Sequence, residues 1–243
     1  MLIADLTMPE FEAGLQQTRT IILPFGATEE HGRHLPLSTD TLMAETLAAL
    51  AAERRKVFVA PVIPYGVCRS SSGHPGTISI RGLTLRALAC DLLRDCYRQG
   101  LRRFILLSGH AGGTHNAFLL DAGEEMLDSL PEAEIAVVTE LDLVRADAAN
   151  LVETRGDSHA GEIETSRLLH SHPQLVKGTS EREFPDFPKG LLVRDKRSCW
   201  PGGVWGDPGK ACAEKGRAIE AAVLEGLLNL IDRLEETDQH LKR

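Results

Sequence analysis

The 243-residue chain lacks any run of the ~18 to 20 uncharged apolar residues that a membrane-spanning helix needs. Its opening residues, MLIADLTMPEFEAGL, carry acids where a secretory signal has a basic start and an apolar core. No two of the five cysteines (Cys68, Cys90, Cys96, Cys199, Cys212) form a C-x-x-C pair. Cys90 and Cys96, six apart in one predicted helix, point to different faces. Neither a disulfide framework nor a cysteine-built structural zinc site is expected, and a reducing cytoplasm is the expected location. Basic residues are the minority, 27 Lys and Arg against 35 Asp and Glu, a net charge of −8, which argues against a nucleic-acid partner. No GxGxxG follows the first predicted strand, so a dinucleotide enzyme fails on motif, and no serine stands in a GxSxG frame. Internal repeats and low-complexity tracts are also lacking. What is present is a globular composition, 42% hydrophobic and 26% charged, at a length suited to one large α/β domain over residues 1–243.

Short apolar runs alternate with helical stretches. Strands are predicted at Arg19–Phe25, Val57–Ile63, Phe104–Leu107 and Glu134–Glu140. Helices are predicted at Asp40–Arg55, Thr84–Arg98, Asn116–Leu130, Glu162–His170 and Lys210–Glu236, with Gly100 closing the second of them. Continuous apolar strands between helices indicate a mostly parallel sheet covered on both faces. The stretch Glu181–Asp207 shows little periodicity and reads as a long ordered loop.

In such sheets ligands bind beyond the carboxyl ends of the strands. The polar segments fall there: Gly26–Asp40 after the first strand, Ser108–Asn116 after the third, and Gly156–Ser166 some distance after the fourth. Six of the nine histidines (His31, His34, His74, His110, His115, His159) stand in short segments rich in Gly, Thr and Asp. Glu29 and His31, two apart, project to the same side of an extended chain, and Asp40 opens the next helix. A carboxylate, an imidazole and a second carboxylate converging on one point suit zinc, manganese or iron rather than calcium. The same residues also fit a plain structural role, with Asp40 as a helix cap and Glu29 and Glu30 in solvent. His110 ends an apolar strand among glycines, which let a backbone come close to a ligand. His159 and Glu164 form a third set, whose structural alternative is a helix start capped by Asp157 or Ser158, with Glu162 and Glu164 favoured by the helix dipole.

Three blocks taken together resemble the creatininase family of metal-dependent amidohydrolases. They are Gly26–Asp40 (Gly-x-x-Glu-x-His-Gly-x-His-Leu-Pro-x-x-Thr-Asp), the Gly-His-x-Gly loop within Ser108–Asn116, and His159–Ser166 (His-Ala-Gly-x-x-Glu-Thr-Ser). Ser72–Ile78 and Gly203–Pro208 agree more weakly, and the likeness runs from about residue 18 to residue 235. The resemblance implies a three-layer α/β/α sandwich with a mostly parallel central sheet and a centre of two divalent ions (Zn, Mn or Fe) per subunit. It implies that Glu29, His31, Asp40 and His110 are metal ligands, that Asp40 bridges the ions, and that Glu164 completes the site. It implies that His159 transfers a proton and that the chain forms a homo-oligomer, commonly a hexamer.

Two departures matter. Creatininases proper carry a Glu two residues after the histidine of the Gly-His loop, where this chain has Gly112, and a tryptophan shortly before the His-Ala-Gly block, where it has Thr154–Ser158. Both point away from creatinine as the substrate. Other branches hydrolyse a formamide on a pyrimidine precursor or cleave a C-terminal dipeptide from a modified peptide cofactor precursor of the mycofactocin type. The expectation is therefore a hydrolase of a small-molecule, formamide or peptide C–N bond, in which a metal-activated hydroxide attacks the carbonyl and His159 protonates the leaving nitrogen. Arg33, His74 and Trp205 are candidate substrate contacts. The alternative class is a metal-bearing regulatory module without activity.

Overall fold

The computed structural model describes residues 1–143 and 151–241. Four strands, β1 (Thr20–Phe25), β2 (Phe58–Val59), β3 (Arg103–Ser108) and β4 (Glu134–Thr139), form one sheet in the order β2-β1-β3-β4, every pair parallel. The period of two assigns alternate residues to opposite faces. Ile21, Leu23 and Phe25 of β1, with Phe104 and Leu106 of β3, pack on α1 (Met8–Leu15), α3 (Gly82–Arg98) and α4 (Gly113–Ser129). Ile22, Ile105 and Leu107 face the other way, onto α2 (Thr39–Arg54) and α8 (Ala213–Leu241). Both faces are covered, which makes the three-layer α/β/α sandwich and accounts for strands that are apolar throughout. Among the described residues no helix is long and apolar enough to cross a membrane.

Local chemistry explains where the expected elements change. The run Val57–Ile63 keeps only a two-residue ladder, because Pro61 has no N–H to give; beyond it the chain still tracks the sheet edge, through Ala60 N–H to the Ile22 carbonyl and Ile63 N–H to the Pro24 carbonyl, both 3.0 Å. The helix α1 lies outside the expected set. Its signal is Thr7-x-x-Glu10, where Glu10 accepts hydrogen bonds from both the backbone N–H and the hydroxyl of Thr7 at 2.7 Å. Gly100 takes φ +107° just past α3, as its position after Arg98 anticipates. The stretch 181–207 is mostly irregular, broken by the single turn α7 (Lys196–Cys199) and held by paired backbone hydrogen bonds between Glu183 and Gly206.

The sheet order reverses between β1 and β3, so the connections leaving their carboxyl ends diverge and open a crevice. Two short helices complete the crevice wall, α5 (Glu140–Leu143) and α6 (Glu162–Ser171). Helix α6 is fixed by a buried ion triad. Arg167, 2% exposed, donates to Glu220 of α8 at 2.8 Å and to Glu140 of α5. Burial disfavours the charge on Arg167, but the two carboxylates outweigh it and raise its pKa. Removing the cation alone would leave two buried carboxylates facing each other. Arg167→Met should therefore lower the unfolding free energy by about 3–5 kcal/mol in urea titrations, while replacing all three charges with apolar residues should recover most of that loss. A single-variant loss under ~1 kcal/mol would contradict the triad's role.

Candidate metal centre

The residues at the crevice converge because two loops and two helix starts meet there. Asp40 lies in the first turn of α2, whose cap position is Ser38, so its carboxylate is not spent on capping. The turn is pressed against the end of β3: a Cβ on Gly109 would stand 2.1 Å from the Asp40 carbonyl oxygen. That close approach carries the Asp40 side chain into the space between two histidines. Its Oδ1 lies 3.1 Å from His31 Nε2 and its Oδ2 lies 2.9 Å from His110 Nδ1. Each histidine has a second acid, Glu164 Oε2 at 3.5 Å from His31 Nε2 and Glu29 Oε2 at 2.9 Å from His110 Nδ1. All five side chains are buried, Glu29 included, so the solvent-exposed alternative for that residue does not hold.

Glu29 Oε2 and Asp40 Oδ2 have no hydrogen-bond partner although both are buried. Their approach to the same nitrogen of His110 lacks hydrogen-bond alignment. Buried carboxylate oxygens without partners are rare and costly. Oxygen and nitrogen donors converging this way fit a divalent cation. Burial, the largest influence, opposes charge on His31, yet Asp40 and Glu164 outweigh it and raise its pKa to about 10. His110 is likewise raised well above its ordinary value, because Glu29 and Asp40 outweigh its burial.

His159 stands beside this cluster. Its ring stacks on His31 at 4.2 Å and meets Trp200 edge-on at 5.0 Å. The Nε2–H donates to the Glu30 carbonyl at 2.8 Å, and two backbone hydrogen bonds of 2.7 and 3.2 Å tie its strand-like segment to Trp205. Burial and His31 act to lower its pKa, but the carboxylates of Glu30, Glu29 and Glu164 prevail and the net shift is upward. The local structural reading of this segment also holds for its other acids. Asp157 accepts from the N–H groups of Glu162 and Ile163 at 2.7 and 2.9 Å, and Glu162 accepts from Thr154 N–H at 2.7 Å. Glu164 alone turns inward.

A cavity of about 210 Å³ opens onto Glu29, Asp40, His110, His159 and Glu164, and Trp205, Trp200, Arg69 and Ser70 also line it. Of the three candidate substrate contacts, only Trp205 is there. Arg33 lines a separate cavity with Arg182 and Glu183. His74 is buried and donates from Nε2 to the Trp200 carbonyl at 2.6 Å, so it supports Trp200 from behind. Sequence reasoning missed Glu30, Arg69, Trp200 and Ser71, whose hydroxyl donates to Glu29. Glu30 had a readable signal, since the alternation that aims Glu29 and His31 one way aims Glu30 the other, toward His159. His34 and His115 are structural: His34 Nε2 bonds Thr165 Oγ1 at 2.8 Å, and His115 Nδ1 accepts from Val67 N–H at 3.2 Å.

With this geometry in place, comparisons with known proteins are informative. The family model Creatininase, described as creatinine amidohydrolase, matches residues 4–231. A creatinine amidohydrolase from Pseudomonas putida is 27% identical, covering 95% of this chain and 96% of that protein. A mycofactocin precursor peptide peptidase from Mycobacterium ulcerans is 31% identical, covering 88% and 85%. A solved structure of creatininase in a manganese form superposes with a TM-score of 0.88 at 26% identity, covering 96% of this chain and 97% of that one. A shared fold and a family-model match over nearly the whole length lead to one conclusion: the chain belongs to the creatininase family.

Proposed function

We propose that the chain hydrolyses a C–N amide-type bond at a centre of two divalent ions, zinc, manganese or iron, with Glu29, Asp40 and His110 holding one and His31, Asp40 and Glu164 the other. The observation that carries this reading is the Asp40 carboxylate, each oxygen of which faces a different acid–imidazole set. Bound ions would supply Lewis acidity, polarising the scissile carbonyl and making a water acidic near neutral pH.

The chain's own residues do the rest. His159 gives its Nε2–H to Glu30, so Nδ1 is the nitrogen that carries a proton to the leaving amine. The carboxylates of Glu30, Glu29 and Glu164 shift its pKa upward, the direction that suits a general acid. Trp200 and the Trp205 backbone fix the ring, and the Trp205 side chain shields one wall of the cavity from water. Ser71 orients Glu29 by donating to its Oε1, leaving Oε2 toward His110. Arg69, exposed at the mouth, is placed to meet an anionic group of the substrate.

Creatinine is disfavoured by geometry as well as by motif. The His110 ring occupies the space over Gly112, where a Cβ would lie 2.3 Å from Nε2, so an acid at 112 has no room in this arrangement. Ala111, Ser158 and Glu164 also border a second cavity of about 580 Å³ with Met43, Ile163 and Val223 in its wall. An amide with an apolar arm, as in a peptide end, fits that space better than a small compact ring.

Chelation followed by reloading is the direct test. Turnover of a panel of formamides, cyclic amides and short peptides should vanish on chelation and return with zinc or manganese. Because the neighbouring acids raise the pKa values of His31 and His110 and both rings must be neutral to bind a cation, reloading should release protons and affinity should rise with pH. Turnover that survives complete metal removal would contradict the proposal. His159→Gln should lower kcat by about 10²–10⁴-fold with metal content unchanged, and substrates whose leaving group needs no proton should be affected far less. An equal loss on both substrate types would remove His159 from the acid role.

A further inference from the structure

The two acid–imidazole sets are not alike, and the difference is a cysteine. Cys68 is fully buried, unpaired by any disulfide, and lies between Val67 and Arg69, both of which reach the cavity. Its sulfur, a Glu29 carboxylate oxygen and a His110 ring nitrogen all lie within 4.8 Å of one another. A buried thiol is commonly just a small apolar filler, as Cys90 is here within the α1, α3 and α4 core. Cys68 belongs to none of the three apolar clusters, and the groups found near its sulfur are those of Glu29 and His110. Its segment is pinned by a 2.9 Å hydrogen bond from the Cys68 N–H to Ser79 Oγ. Glu29 Oε2, buried with 4% of its side chain exposed, lies 2.9 Å from His110 Nδ1 but has no hydrogen bond, and is the second sign that this pocket is built for a cation.

We propose that Cys68 supplies a sulfur ligand to the ion held by Glu29, Asp40 and His110. That half of the centre then has four protein ligands and is closed, whereas the half formed by His31, Asp40 and Glu164 keeps a position open to the cavity. Closed coordination marks ions that are retained, and an open position marks ions that meet substrate. As the metal–sulfur bond forms, the S–H bond breaks and its proton passes to solvent, with no change of oxidation state. A thiolate is soft, so the closed half favours zinc over manganese, and the all-nitrogen-and-oxygen half discriminates less. The inference rests on the metal-centre reading above and adds a division of labour between the two ions.

Cobalt(II) loading of the chelated full-length protein tests it without reference to turnover. The wild type should show a near-ultraviolet sulfur-to-cobalt charge-transfer absorption, and Cys68→Ser should lose it while keeping the visible ligand-field bands. In competition titrations Cys68→Ser should lose zinc affinity at the closed half by more than the ~10–100-fold that outer-shell changes cost, with manganese affinity moved less. Wild-type protein that binds cobalt without the charge-transfer band overturns the cysteine assignment alone. Wild-type protein that binds no cobalt overturns this inference together with the metal centre. The wild-type spectrum decides the matter even if the serine variant does not fold.

Discussion

One carboxylate organises the chemistry of this molecule. Asp40 is buried between His31 and His110, and each of its oxygens answers to a different partner. An ionised group in that position is tolerable only if it is surrounded by counter-charge. The fold supplies this by bringing the start of α2 against the ends of β1 and β3, at the point where the sheet order reverses. Gly109 is the steric condition for the approach, since any side chain there would collide with the Asp40 backbone. The Arg167 triad is the matching condition on the opposite wall, because it holds the helix that carries Glu164.

Much of this was legible before any coordinates, and the reasons are physical. Parallel strands buried on both faces leave unmistakable apolar runs, so Phe104–Leu107 and Arg19–Phe25 emerge within a residue of β3 and β1. Position at strand ends made Glu29, His31, Asp40 and His110 candidates, and they do meet. What sequence alone did not reveal depends on contacts between distant, aperiodic segments. Trp200 reaches His159 from the irregular stretch 181–207, where no period predicts which side chain turns inward. Arg33 sits within the densest motif block yet points to another cavity, because the tight turn at Gly32, φ +64°, redirects the chain there. Arg69, from a loop with no motif of its own, lines the cavity where Arg33 was expected.

The site also explains why relatives in one family can act on different substrates. The ligand cluster depends on the sheet ends, but the cavity in front of it is built from loops that contribute Val67, Arg69 and Ser70, residues 110–114, and Trp200 with Trp205. Loops tolerate change that the strand ends do not. Here the loop after β3 has Gly112 with the His110 ring folded over it, and the loop after α7 brings two tryptophans, at ring distance 6.4 Å, to the opposite side.

The central claim is that Asp40 joins two cation sites into one centre. The measurement that tests it most directly is the number of ions bound per chain, by equilibrium dialysis with elemental analysis, for the wild type and for Asp40→Ala. The account predicts two ions per chain in the wild type and loss of both in the variant, since each set gives up a shared ligand. A single ion in the wild type, or two ions retained undiminished without Asp40, would contradict it.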